Sequence, residues 1–175
     1  MESSVLLKDK EEVVEKVKKK SLVERLMQTR LLSFDRLLQF YPMFLFLGLK
    51  IRITKDFREV YIRIPLRFYI KNNTGVMFGA AMCTASDPFP ALLFQKILPG
   101  TIAFTRSHGL EYLRPAKTAV EMRARISDED LEEIKNSMEE YGKAQKTFEY
   151  FFTDKHEKRV AKVTSTAYLR KVKKK

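Results

Sequence analysis

Between residues 49 and 69 the chain alternates. Ile51, Ile53, Val60, Ile62, Ile64 and Leu66 are interleaved with Arg52, Arg58, Arg63 and Arg67, the period-two signature of half-buried strands. The tripeptide TKD at 54–56 is the natural turn between two strands, and "KNNTG" ends the alternation with a glycine suited to a positive φ. Upstream, Val13, Val14, Val17, Leu22, Leu26, Leu37 and Leu38 recur near helical spacing. Ser21 followed by Glu24 predicts a capping box opening a second helix there, which Pro42 ends or kinks. Downstream, 77–96 reads as a helix buried on most sides, with Pro88 and Pro90 inside it and "LPGT" closing it. Two strands broken at "RPAK" follow. Ser127 then caps an amphipathic helix whose first turn holds Asp128, Glu129 and Asp130 and which Gly142 terminates. A hairpin with a long last strand closes the chain.

The order is helices, two strands, a central helix, two strands, an inserted helix and two strands. That grouping predicts an α+β layer, not alternating βαβ units. A curved antiparallel sheet wrapped around the central helix is the economical way to hide a helix with almost no polar face.

With 175 residues, 45% hydrophobic and 11% aromatic, the composition is globular and suits one domain with a substantial core. The single cysteine, Cys83, sits among Ala81, Met82 and Thr84 and reads as a small core residue. It can form neither an internal disulfide nor a cysteine-based zinc site, and its reduced state fits a cytoplasmic setting. The start of the chain lacks the pattern of a signal peptide. The most apolar run, 37–51, carries Gln39 and Pro42 and is too short to span a bilayer. The formal charge of +12 suits an anionic partner or solvation alone. No nucleic-acid motif accompanies it, and none is expected as a partner.

The stretch "NNTGVMFGAAMCTASDP" (72–88) raises the chemical question. An aspartate within a helix of small, apolar residues is costly unless something pairs with it or uses it. Pro88 and Pro90 remove helix donors, so the helix should loosen or change axis near 84–87, with residue 87 biased out of the α region.

This stretch resembles the hot-dog fold thioesterases of the phenylacetyl-CoA thioesterase type. Their Asn-x-x-Gly-x-x-His-Gly-Gly pattern, with an aspartate nine residues after the histidine, is matched by Asn72, Gly75, Gly79 and Asp87. Phe78 stands in place of the histidine and Ala80 in place of the last glycine. "FGAAMCTASDPFPALL", "LEYLRPAKTAVEMRARISDEDLEEI" and "VAKVTSTAYLRK" resemble a less studied branch, a thioesterase-like domain of unknown function, over about 39–171. The resemblance implies an N-terminal helical extension over 1–40, a hot-dog domain over 41–172 and a basic tail over 173–175.

It also implies roles. Asp87 would act as nucleophile, or as general base for the attacking water, its pKa raised by an apolar setting. Gly79 N–H would polarise the thioester carbonyl at the helix start. Asn72 would orient water or the loop, and Thr105 would assist from the next strand across a dimer interface. Gly75, Phe78 and Ala80 would meet substrate. The implied partner is an acyl-CoA or acyl-carrier thioester, with CoA entering only as part of the substrate, no metal, and a homodimer or tetramer. Each residue also has a plainer reading: Asn72 as a turn former, Gly75 and Gly79 as backbone-geometry residues, Thr105 as a β-former. His108 and His156 read as strand or surface residues, and the acidic pairs at 128–140 as a solvated face. Because Phe78 replaces histidine, a non-catalytic acyl-CoA or lipid binder is the competing function. Peripheral membrane association, drawn from "YPMFLFLGL" and the basic tail, is a third.

Overall fold

The computed structural model describes residues 33–172; the expected capping box at Ser21 and the tail at 173–175 lie outside them. A compact unit runs from Leu38 onward. α1 (Phe34–Gln39) ends before Pro42, which occupies the first turn of α2 (Pro42–Leu47). A proline fits there because its missing N–H would have had no helical partner. So Pro42 opens a new short helix.

Six strands follow: β1 (Lys50–Ile53), β2 (Glu59–Ile64), β3 (Thr101–Tyr112), β4 (Val120–Arg125), β5 (Lys143–Thr153) and β6 (Arg159–Lys171). They form one antiparallel sheet in the order β1-β2-β4-β5-β6-β3. The alternation read from the sequence is its facing pattern: Val60, Ile62 and Ile64 are buried, whereas Tyr61 and Arg63 are exposed. The outer face is polar, with Arg123 paired to Glu59 and Lys162 to Glu149 at 2.6 Å.

The central helix is two helices, α3 (Gly79–Ser86) and α4 (Ala91–Ile97). α3 packs on β2 and β3, α4 on β3 and β6. Phe89, Leu93 and Phe94 join the strands' inward residues in one core. α5 (Asp128–Tyr141) starts as its sequence predicts. Ser127 Oγ accepts from Asp130 N–H at 3.0 Å, and the Asp130 carboxylate accepts from Ser127 N–H at 3.1 Å. Gly142 ends it at φ 69°. This is the hot-dog arrangement of a curved sheet around a central helix. No helix among the described residues is long and apolar enough to cross a membrane.

Candidate functional site

α3 is built of small residues, GAAMCTAS, which let its backbone approach the sheet closely. The break behind it has a plain cause. Pro88 has no N–H for the Thr84 carbonyl one turn back. The chain instead closes with Asp87 N–H to Cys83 O at 3.0 Å and Phe89 N–H to Ser86 O at 3.1 Å, and Leu92 N–H to Pro88 O at 2.9 Å starts α4. The interruption falls where the prolines predict it. Asp87 itself, however, keeps α geometry at φ −49°, ψ −48°, because these turn bonds outweigh the preference imposed by the following proline.

Asp87 is exposed, which corrects the expectation of a carboxylate in an apolar helix environment. It caps the C-terminal end of α3 and borders a cavity of roughly 690 Å³ with Tyr41, Met43, Cys83, Leu92 and His108. Cys83 is half-buried on that wall, not a core residue; burial, then the Asp87 charge, pushes its thiol pKa up. Thr105 lies beside Asp87 within the same chain, its hydroxyl donating to the Asp87 carbonyl at 2.7 Å.

The other site candidates lie at the opposite end of α3. Asn72 is folded into its own turn: Oδ1 accepts from Thr74 N–H at 3.0 Å, Thr74 Oγ1 at 2.8 Å and Val76 N–H at 3.3 Å. Gly75 supplies a left-handed φ of 77°, the conformation that favours glycine. Met77 N–H to Ala116 O at 2.9 Å and Phe78 N–H to Ile70 O at 2.8 Å anchor the helix entry. Gly79 is glycine for a packing reason: a Cβ there would stand 2.4 Å from the Tyr112 hydroxyl oxygen. Phe78 is exposed and, with Ala80, lines a second cavity of roughly 340 Å³ beside Phe46, Tyr69 and Lys71. Met43 and Thr84 border both cavities, so the two lie side by side along α3 beneath α2, an apolar trough in two parts.

β3 adds a residue that sequence reasoning set aside. Its register with β6 slips between Thr105, opposite Ala167, and Ser107, opposite Thr166. A β-bulge at this point switches which residues face inward. Ala103 and Thr105 face the helix before it, and His108, Leu110 and Tyr112 after it. His108 Nε2 thereby reaches Ser86 Oγ at 3.1 Å, on the cavity wall it shares with Asp87. Burial holds the His108 pKa below its ordinary value, with the Asp87 charge opposing. Three consecutive polar residues, Thr105, Arg106 and Ser107, interrupt the strand's alternation and are the sequence signal of that bulge. His156 stays in the exposed β5–β6 turn.

Comparisons with known proteins place this geometry. No curated protein is similar enough to the chain to match it. Among solved structures, a protein of unknown function from Pseudomonas aeruginosa, described as a probable thioesterase, superposes with a TM-score of 0.71 at 22% identity, over 79% of this chain and 93% of that one. A thioesterase from Haemophilus influenzae gives a TM-score of 0.61 at 14% identity, over 78% and 88%. A protein of unknown function from Chlorobaculum tepidum gives 0.61 at 17%, over 77% and 89%. At these identities the likeness establishes a thioesterase-like hot-dog fold. The family described as Domain of unknown function (DUF4442) matches residues 32–169, and the chain, carrying the broken helix and the trough on that fold, belongs to it.

Proposed function

We propose that the protein hydrolyses acyl-CoA or acyl-carrier thioesters at a site completed by two copies of the chain. The observation that carries this reading is the separation of the candidate groups. Gly79 opens α3 and Asp87 closes it, and eight residues of helix rise about 12 Å. Both cannot act on one carbonyl from one chain. A second copy that brings its Asp87 to the first copy's Gly79 resolves this. β3, twelve residues long at the edge of the sheet, offers a strand edge for such pairing.

In the assembled site the acyl chain lies in the trough, and Gly79 N–H, at the positive end of α3, donates to the thioester oxygen. The Asp87 carboxylate takes a proton from water as the water oxygen bonds to the carbonyl carbon. The tetrahedral species then expels the thiolate, the C–S bond breaks, and the thiolate regains a proton. Thr105, holding the Asp87 carbonyl, fixes the end of α3 from which the carboxylate projects. Phe78 favours one other reading, a non-catalytic acyl binder, since an exposed phenyl ring at the helix start supplies apolar surface and no proton chemistry.

Thiol release from a panel of acyl-CoAs, measured for wild type and Asp87→Asn, separates the two. Hydrolysis lost in the variant supports the enzyme. Acyl-CoA binding without thiol release in the wild type supports the binder, and undiminished turnover in Asp87→Asn removes that residue from the mechanism.

A further inference from the structure

The outward face of α2 is apolar, and nothing among the described residues covers it. Met43, Leu45 and Phe46 are each more than half exposed, as are Phe40 and Tyr41 before them. The face continues beyond the helix. Phe46 packs on Tyr69 with ring centroids 5.1 Å apart, and Tyr69 on Phe68 at 5.1 Å. Phe68 itself is 84% exposed. Isolated exposed apolar residues are ordinary, but a patch joined through ring contacts marks an interaction surface.

Its border on the Tyr69 side is basic. From residue 60 to 86 the chain holds Arg63, Arg67 and Lys71 and neither Asp nor Glu, and with Arg63 paired to Glu121 at 3.4 Å, Arg67 and Lys71 stand beside the patch. Arg67 donates to the Tyr69 hydroxyl at 3.0 Å, and that hydroxyl donates to Phe46 O at 3.0 Å, which ties a cation to the aromatic patch. Lys71 lies beside Phe46 and Tyr69. Among the described residues, Arg67 and Lys71 form no ion pair. Two copies meeting through this face would set like charges against each other, since a two-fold contact opposes the same patch to itself.

We propose that this face docks on the surface of an anionic lipid bilayer. α2, at six residues, rises only about 9 Å. It lies in the headgroup layer with Leu45 and Phe68 inserted, while Arg67 and Lys71 meet lipid phosphates, the combination by which interfacial segments bind. The proposal does not rest on the hydrolytic reading, because docking is read without turnover.

The test is co-sedimentation of the full chain with vesicles of phosphatidylglycerol and phosphatidylcholine, against vesicles of phosphatidylcholine alone. Wild type should partition onto the anionic vesicles, less so at high salt. The double variant Leu45→Glu, Phe68→Glu, whose side chains line neither cavity, should lose roughly tenfold or more of that partitioning while keeping its thermal unfolding midpoint. Lys71→Glu should weaken it on anionic vesicles only. Three results overturn the proposal: no binding of wild type to anionic vesicles, undiminished binding by Leu45→Glu, Phe68→Glu, or a change of oligomeric state in that variant, which would assign the face to a second copy.

Discussion

His108 Nε2 and Ser86 Oγ lie 3.1 Å apart, and a second contact of Ser86 fixes the direction of that bond. The single Ser86 proton goes to the Met82 carbonyl, 2.8 Å away, with the Cys83 carbonyl at 3.3 Å. Ser86 Oγ therefore accepts from His108 Nε2–H, and the neutral ring keeps its lone pair on Nδ1. That nitrogen is buried and meets no partner among the described residues. A proton added there would have no acceptor, which agrees with the lowered His108 pKa.

The consequence is acid lability. A histidine whose pKa falls on folding takes up its proton more readily in the unfolded chain. Its contribution to stability is complete above the unfolded value of about 6.5 and is lost as pH falls through the lower folded value. Urea unfolding of wild type should show a larger loss between pH 7 and pH 5 than His108→Gln. Parallel pH profiles for the two proteins would show that another group sets the lability.

Asp87 sits where a negative charge is unwelcome to the helix. It caps the C-terminal end of α3, whose carbonyls carry partial negative charge. It is exposed, and Thr105 bonds its backbone carbonyl, not its carboxylate. Asp87→Asn should leave the fold intact and raise stability by about 0.3–1 kcal/mol. Thermal or urea unfolding measures this. A loss above about 1 kcal/mol would mean that the carboxylate is structurally required.

The strands, both helix caps of α5 and the interruption at 87–90 were legible because each rests on local physics. Alternation sets a face, a serine accepts from N3, and a proline removes a donor. The resemblance set Thr105 against Asp87 across a dimer interface, whereas its hydroxyl bonds the Asp87 carbonyl of its own chain. What failed depends on register and tertiary contact. His108 turns inward because one residue is inserted opposite β6, and strict alternation from Thr101 would point it outward. The Gly79–Tyr112 approach joins residues 33 positions apart, and no local pattern reports it. Burial of Asp87 was misjudged because its neighbours Ala85 and Ser86 are indeed buried, while the last turn of α3 rotates residue 87 to the rim.

The distance between Gly79 and Asp87 leads to a test of the shared site. Gly79 occupies the first position of α3 after the Phe78 N-cap, at φ −65° and ψ 126°. Proline is well tolerated there and accepts an extended residue before it, so Gly79→Pro removes the N–H without breaking the helix. Its ring would press on Tyr112, and Tyr112→Ala in the same chain relieves that contact. Asp87→Asn and Gly79→Pro, Tyr112→Ala should each be inactive alone. Mixed by co-expression, half of the dimers pair the two variants, and each such dimer holds one site with an intact Gly79 from one copy and an intact Asp87 from the other. Because the restored site keeps Tyr112 beside its intact Gly79, activity should return to about a quarter of the wild-type level. A mixture as inactive as its components would place both groups in one chain's site, against the roughly 12 Å of helix between them.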